Sequence, residues 1–96
     1  MNDFFVIEPC QSAKGIEIRL KGKRIDLKKA EAALAGLGEV VGSSPVVLLV
    51  KMKGLSLSIY ASGRMMVKGN VRPGSKRAEA LARRLVGALE KNGAII

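Results

Sequence analysis

Three β-prone segments joined by two very short connections dominate the second half of the chain. The segments span residues 46–52, 55–61 and 64–68, and the connections are Lys53-Gly54 and Ser62-Gly63. A two-residue connection that contains glycine is typical of an antiparallel hairpin. The sequence therefore predicts an antiparallel meander over residues 46–68.

One more strand and two amphipathic helices complete the predicted architecture. Residues 16–21 alternate strictly between apolar and charged side chains, which is the period of a half-buried strand. Asp26 and Ser75 are good helix N-caps, and each precedes a stripe of Ala and Leu at helical spacing. Residues 39–41 are a candidate short edge strand, and residues 42–45 have the composition of a loop.

The predicted fold class is α+β, with one domain over residues 1–96 and a short N-terminal strand at residues 4–8. We expect a curved antiparallel sheet with two helices on one face, in the order β-α-β-β-β-α. Because the helices cover only one face, the other face is where we expect function.

Alternation along the strands assigns side chains to that second face. The side chains predicted to contact nucleic acid there are Arg19, Lys21, Lys51, Tyr60, Arg64, Met66 and Lys68, and the apolar part of the face is Val47 and Leu49. Basic groups around an apolar and aromatic centre suit a nucleic-acid backbone with stacked bases. Two alternatives stay open: the strand charges are only solvated, or the apolar centre is a protein interface.

Composition narrows the function classes. Seventeen Lys and Arg against eight Asp and Glu give a net charge of +9, which favours anionic partners. The chain has no His, and its sole cysteine, Cys10, has no imidazole to activate it. We therefore expect no enzyme activity, no metal and no cofactor.

No apolar segment approaches the roughly 20 residues that span a bilayer, and the chain does not begin with the basic residues of a signal peptide. We therefore expect a cytoplasmic protein without membrane contacts.

Positive charge also surrounds the second predicted helix. Residues 69–76 have the glycine spacing of a phosphate-binding loop, but the final pair is reversed to Ser75-Lys76, which argues against nucleotide hydrolysis. An anion could instead bind the free N–H groups at the helix start, or the helix is simply capped. The side chains that would assist an anion are Arg72, Lys76 and Arg77, and the outer side of the helix adds Arg83, Arg84 and Lys91. This outer side is either solvated or a contact for phosphate or a protein partner.

Residues 57–69 carry a resemblance to a known family. They read Leu-Ser-Ile-Tyr-Ala-Ser-Gly-Arg-Met-Met-Val-Lys-Gly, with an Ile-aromatic strand end, two small residues, Gly, a basic residue and Met. This segment resembles one repeat of the TATA-box-binding protein family, and the order of elements over residues 14–93 is similar. A related single repeat is the substrate-binding N-terminal domain of type-three ribonuclease H enzymes.

The resemblance implies one half of a saddle whose concave sheet lies in a DNA minor groove, with aromatic wedges that kink the duplex. Tyr60 falls at one wedge position, but Pro45 stands at the other. Ser58 and Lys68 also depart from the family, and its paired asparagines have no counterpart at residues 14–16. The resemblance therefore implies general nucleic-acid binding and a role in transcription rather than TATA recognition, with protein partners on the second helix.

A single repeat makes only half of such a saddle, so the complete form requires a homodimer, which would also protect the exposed sheet edge. The sequence predicts a non-catalytic nucleic-acid-binding module that acts as a homodimer. The alternative is a protein-interaction or oligomerisation module of the same fold. A third alternative is a helix-grip pocket for an apolar ligand between sheet and helices.

Overall fold

The computed structural model describes residues 5–9, 15–69, 71 and 74–96, which form six strands and two helices. The strands are β1 Phe5–Pro9, β2 Gly15–Leu20, β3 Glu39–Ser43, β4 Val47–Met52, β5 Leu55–Tyr60 and β6 Arg64–Lys68. The helices are α1 Leu27–Ala35, between β2 and β3, and α2 Lys76–Lys91, after β6. The fold is α+β, as the sequence predicted at the level of class.

All six strands belong to one antiparallel sheet with the order β1-β2-β6-β5-β4-β3. The predicted meander is confirmed as β4, β5 and β6. In the first hairpin Lys53 and Gly54 have φ angles of 47° and 80°, the positive pair that matches the twist of a two-residue turn. In the second hairpin, Gly63 has φ 104°, and a Cβ there would clash with the Lys23 carbonyl oxygen, so glycine is required.

The candidate edge strand at residues 39–41 is confirmed as β3, but β3 extends to Ser43, and the predicted order β-α-β-β-β-α did not include it. The register shifts between Val40 and Gly42, and beyond this irregularity Gly42 pairs with Leu49 and Ser43 with Leu48. The shift leaves one extra residue, Val41, in β3, and pairing with β4 resumes beyond it. The loop predicted at residues 42–45 is therefore shortened to its last two residues.

Both helices pack on one face of the sheet. The Asp26 carboxylate caps α1 by accepting hydrogen bonds from the N–H groups of Lys28 and Lys29, at 3.0 and 3.3 Å. The Ser75 hydroxyl caps α2 by accepting from Ala78 N–H at 3.1 Å. Alternate residues of the strands are buried against the helices, and they form one core cluster with the inner stripes of α1 and α2.

The apolar residues that follow α2 dock on the segment before α1. Ala94 is buried, and Ile95 forms an isolated antiparallel bridge with Ile25. The N–H of Ile96 donates to the Arg24 carbonyl at 2.9 Å, and the N–H of Asp26 donates to the Ala94 carbonyl at 2.7 Å. Neither α1 nor α2 is long and apolar enough to cross a membrane.

Candidate nucleic-acid interface

The side of the sheet away from the helices, called the open face below, is organised in three rows of side chains that run across the strands. The strand registers place the rows. The arginine row contains Val6, Arg19, Arg64, Tyr60 and Val47; the middle row contains Glu8, Glu17, Met66, Ser58 and Leu49; the lysine row contains Lys68, Ser56, Lys51 and Glu39. Strands β4, β5 and β6 contribute one side chain to each row, β1 and β2 contribute to the arginine and middle rows, and β3 contributes only to the lysine row.

Uncharged side chains fill the centre of the open face. Met66 and Ser58 are directly opposite each other, as are Ser58 and Leu49. Met66, Tyr60 and Val47 are half-buried, and Leu49 is 40% exposed. This side of the sheet therefore presents an uncharged surface of apolar, aromatic and hydroxyl side chains, and neither α1 nor α2 covers it.

Cations stand on both sides of this centre. Arg64 and Lys68 occupy the two ends of β6, four residues apart, so the arginine and lysine rows are separated by about 13 Å along the strands. Arg19 lies opposite Arg64 in the arginine row, and Lys51 belongs to the lysine row. All four of these side chains are exposed. The strand registers thus place these four cations on the same face as the uncharged centre.

The two arginines share one carboxylate. Glu17 Oε2 lies 2.9 Å from Arg64 Nε and 3.2 Å from Arg19 Nη2, and Glu8 Oε1 lies 3.5 Å from Arg19 Nη2. The Glu17 side chain is only 13% exposed, whereas both arginines are about half exposed. The hydrogen bond from Arg64, assisted by Arg19, lowers the pKa of Glu17 below its usual value against the opposing effect of burial. The same hydrogen bond raises the pKa of Arg64.

The lysine row is less compensated. Glu39 lies opposite Lys51, but neither Lys51 nor Lys68 forms an ion pair with any carboxylate that the structure describes. Ser56 lies between the two lysines across the sheet, opposite each of them. Both ammonium groups are therefore available to an anionic ligand that lies across this end of the open face.

Lys21 is the one sheet-face residue whose predicted position was wrong. It lies in the turn after β2, because β2 ends at Leu20, whose N–H donates to the Gly63 carbonyl at 2.9 Å. Lys21 is exposed and stands beside the β5–β6 turn, at the same end of the sheet as the arginine row. The structure thus places its charge next to the open face rather than on it.

The predicted anion site at the start of α2 is described only in part. Arg72 lies outside the described residues, and the exposed Lys76 and Arg77 occupy the first turn of the helix. Cys10 also lies outside the described residues. At this helix start the Ser75 hydroxyl accepts the capping hydrogen bond from Ala78 N–H.

Sequence reasoning missed the role of three carboxylates on the open face. It did not connect Glu17 with either arginine, and it assigned no partner to Glu8 or Glu39. Alternation gives the side of the sheet to which a residue points, whereas ion pairing depends on the register between strands. A register estimate for β2 and β6 would have been needed to place Glu17 beside Arg64.

Among the described residues, no group of three or more Cys, Asp or Glu side chains is arranged to hold a metal ion. No protein-family model, curated protein sequence or solved structure matches the chain.

Proposed function

We propose that this chain is a non-catalytic nucleic-acid-binding module that uses the open face. Phosphates lie on the cations of the arginine and lysine rows, and bases lie on the uncharged side chains of the face, among them Tyr60 and Met66. The observation that carries the proposal is the placement of four exposed cations on both sides of an uncovered apolar and aromatic centre. Phosphate contacts supply affinity in such interfaces, and aromatic or apolar contacts accept the bases.

Additional positive charge lies beyond the arginine row, in the segment that follows the end of β2. Lys21, Lys23 and Arg24 are exposed and follow β2 directly, and the Ile25 N–H donates to the Ala61 carbonyl at 3.0 Å. This connection therefore runs beside the turn between β5 and β6. A nucleic-acid strand that crosses the arginine row would continue along these cations, which supports a path across the sheet.

We also propose that the fold is a half-saddle similar to one repeat of the TATA-box-binding protein family. The two helices on one face, the uncovered second face and the position of Tyr60 at the end of β5 support it. In a homodimer, β1 or β3 would meet the second copy, because these two strands form the edges of the sheet and β1 already covers β2. A role in transcription rests on the resemblance alone.

The proposal is tested by removing a carboxylate from the open face. Glu17→Gln releases Arg19 and Arg64 from their shared counter-ion, so the affinity for a labelled duplex or single-stranded DNA should rise about threefold to tenfold at low salt. The logarithmic salt slope should become steeper by about one. Glu79→Gln is the matched control, because it also removes a carboxylate that pairs with an arginine, on α2, with a distance of 3.0 Å to Arg83.

Fluorescence anisotropy over a salt series measures both quantities, with circular dichroism to show that each variant is folded. An equal rise in affinity for Glu17→Gln and Glu79→Gln would mean that only the total charge matters, which contradicts binding by the open face. Absence of DNA affinity in the unmodified chain at about 50 mM salt would contradict nucleic-acid binding altogether.

A second candidate function, oligomerisation without nucleic acid, is favoured by the apolar side chains near β3. Val41, Val46 and Leu49 are 49%, 67% and 40% exposed, and they lie on or beside the edge formed by β3 and β4. Burying these side chains against a second copy would be favourable. Sedimentation equilibrium of the chain and of Val46→Lys tests this candidate: a dimer that dissociates in the variant supports it, and a monomeric unmodified chain excludes it.

A further inference from the structure

A small pocket between the β4–β5 turn and α2 has a composition different from that of the open face. It has a volume of about 260 Å³ and is lined by Met52, Lys53, Leu55, Arg77, Ala80, Leu81 and Arg84. Met52 and Leu55 are buried and form the apolar floor, and Leu81 is half-buried. Lys53, Arg77 and Arg84 are exposed and stand at its rim.

The rim carries three cations that have no counter-ion among the described residues. The nearest acidic side chain along α2, Glu79, is engaged by Arg83 at 3.0 Å, and Arg83 does not line the pocket. No described carboxylate is in salt-bridge distance of Lys53, Arg77 or Arg84. An apolar cavity with an uncompensated positive rim is complementary to an apolar group flanked by negative charges.

One of the three rim cations, Lys53, lies in a turn position that lysine rarely occupies. Its φ of 47° is the one positive value among the described residues other than glycine. Asn, Asp or Gly is the usual choice at this place in a two-residue hairpin turn. A lysine there accepts an unfavourable backbone conformation and adds a cation to the rim of the pocket.

We propose that this pocket binds an acidic peptide segment of a partner protein, with one large apolar side chain of the partner in the cavity and its carboxylates on the three cations. The volume is smaller than the about 300–1,000 Å³ of typical small-molecule sites, which suits a single side chain better than a cofactor. The site is on the helical side of the fold and is independent of the open face.

The probe for this proposal is a fluorescein-labelled peptide of Asp and Glu with a single central Leu, compared with the same peptide in which Ser replaces Leu. Burial of Leu should make the first peptide bind about tenfold more tightly. Arg84→Glu should weaken binding of the Leu peptide about tenfold. Arg83→Glu, an identical charge change one residue away and outside the pocket, is the matched control and should weaken it less than about threefold.

A third variant keeps the charge constant. Ala80→Leu fills the pocket from an exposed helical position, so it should abolish the preference for the Leu peptide over the Ser peptide while leaving the weak binding of the Ser peptide unchanged. Equal affinities of the two peptides for the unmodified chain, or equal effects of Arg84→Glu and Arg83→Glu, would overturn the proposal and leave only general charge attraction.

The same variants with labelled DNA separate this site from the open face. Arg84→Glu should change DNA affinity no more than Arg83→Glu does. If Arg84→Glu instead removes DNA binding, the pocket belongs to a nucleic-acid surface and the peptide proposal is wrong. The response of DNA affinity to Glu17→Gln tests the open face separately, so failure of one proposal does not imply failure of the other.

Discussion

The open face and the exposed surface of α2 are both rich in cations, but nearby carboxylates neutralise these two sets of cations to different extents. On the open face, four described cations face three carboxylates, and one of these, Glu17, is held between two arginines. On α2, five exposed cations face only Glu79 and Glu90. The net charge of +9 is therefore a poor guide to the binding surface, because much of it lies away from the uncovered sheet.

The difference follows from the two kinds of secondary structure. Cross-strand neighbours on a sheet are about 5 Å apart, so two arginines opposite each other are unfavourable unless a carboxylate separates them. Exposed side chains on a single helix can point apart into solvent and need no such compensation. Charge on the open face is thus fixed in position, which suits recognition of a spaced ligand. The α2 cations that do not line the pocket, Lys76, Arg83 and Lys91, act mainly as a general field.

The largest expected effect comes from reversing charge on each surface in turn. Lys51→Glu with Lys68→Glu removes the two uncompensated cations of the lysine row, and DNA affinity should fall about thirtyfold or more at low salt. Lys76→Glu with Arg83→Glu makes the same total charge change on α2 and should lower it less than about fivefold. Anisotropy titrations of both double variants measure the contrast, and equal losses would remove the distinction between the two surfaces.

A smaller effect is expected from the aromatic ring of the open face. Tyr60→Ala should weaken binding of single-stranded DNA about tenfold, because stacking of one base contributes about 1–3 kcal/mol. Tyr60→Phe keeps the ring and should bind within about twofold of the unmodified chain. A loss in Tyr60→Phe as large as that in Tyr60→Ala would assign the effect to the hydroxyl group rather than to stacking.

The free energy of unfolding should depend on pH through Glu17 of the open face. The pKa of Glu17 is lowered in the folded chain, so its contribution to the free energy of unfolding is present above its unfolded value of about 4.3 and is lost as pH falls through the folded value. Chemical denaturation at a series of pH values should show this loss in the unmodified chain and a shallower one in Glu17→Gln. Identical pH profiles for the two proteins would contradict the ion pairing of Glu17.

The smallest effect concerns the helix. The pair Arg83 and Glu79 is exposed on both sides and spaced by four residues, so Glu79→Gln should change the free energy of unfolding by less than about 0.5 kcal/mol. Urea denaturation of this variant beside Glu17→Gln compares the two carboxylates directly. A larger change for Glu79 than for Glu17 would reverse the contrast between the surfaces.

Local sequence signals were sufficient for much of the fold. Alternation along β2 and β6 placed Arg19, Arg64 and Met66 on the open face, and the Lys53-Gly54 turn set the first hairpin. Asp26 and Ser75 marked the helix starts because capping depends on bonds to residues only two or three positions away.

Features that depend on distant pairing were not predictable. The extension of β3 through Gly42 and Ser43 depends on a bulge against β4. The shared position of Glu17 between Arg19 and Arg64 depends on the register of β2 and β6. The α2 pocket arises because the β4–β5 turn brings Lys53 to the helix that begins more than twenty residues later. None of these contacts leaves a local periodic signal.

The most direct measurement for the open face is the intrinsic fluorescence of the chain during titration with single-stranded DNA. The chain has one tyrosine and no tryptophan, so the emission reports on Tyr60 alone. Free N-acetyltyrosinamide in the same DNA solutions corrects for absorption, and a polyphosphate without bases is the control ligand. Base stacking on the open face predicts quenching that saturates with DNA binding and is absent with polyphosphate. Unchanged Tyr60 emission at saturating DNA would contradict binding of bases by this face.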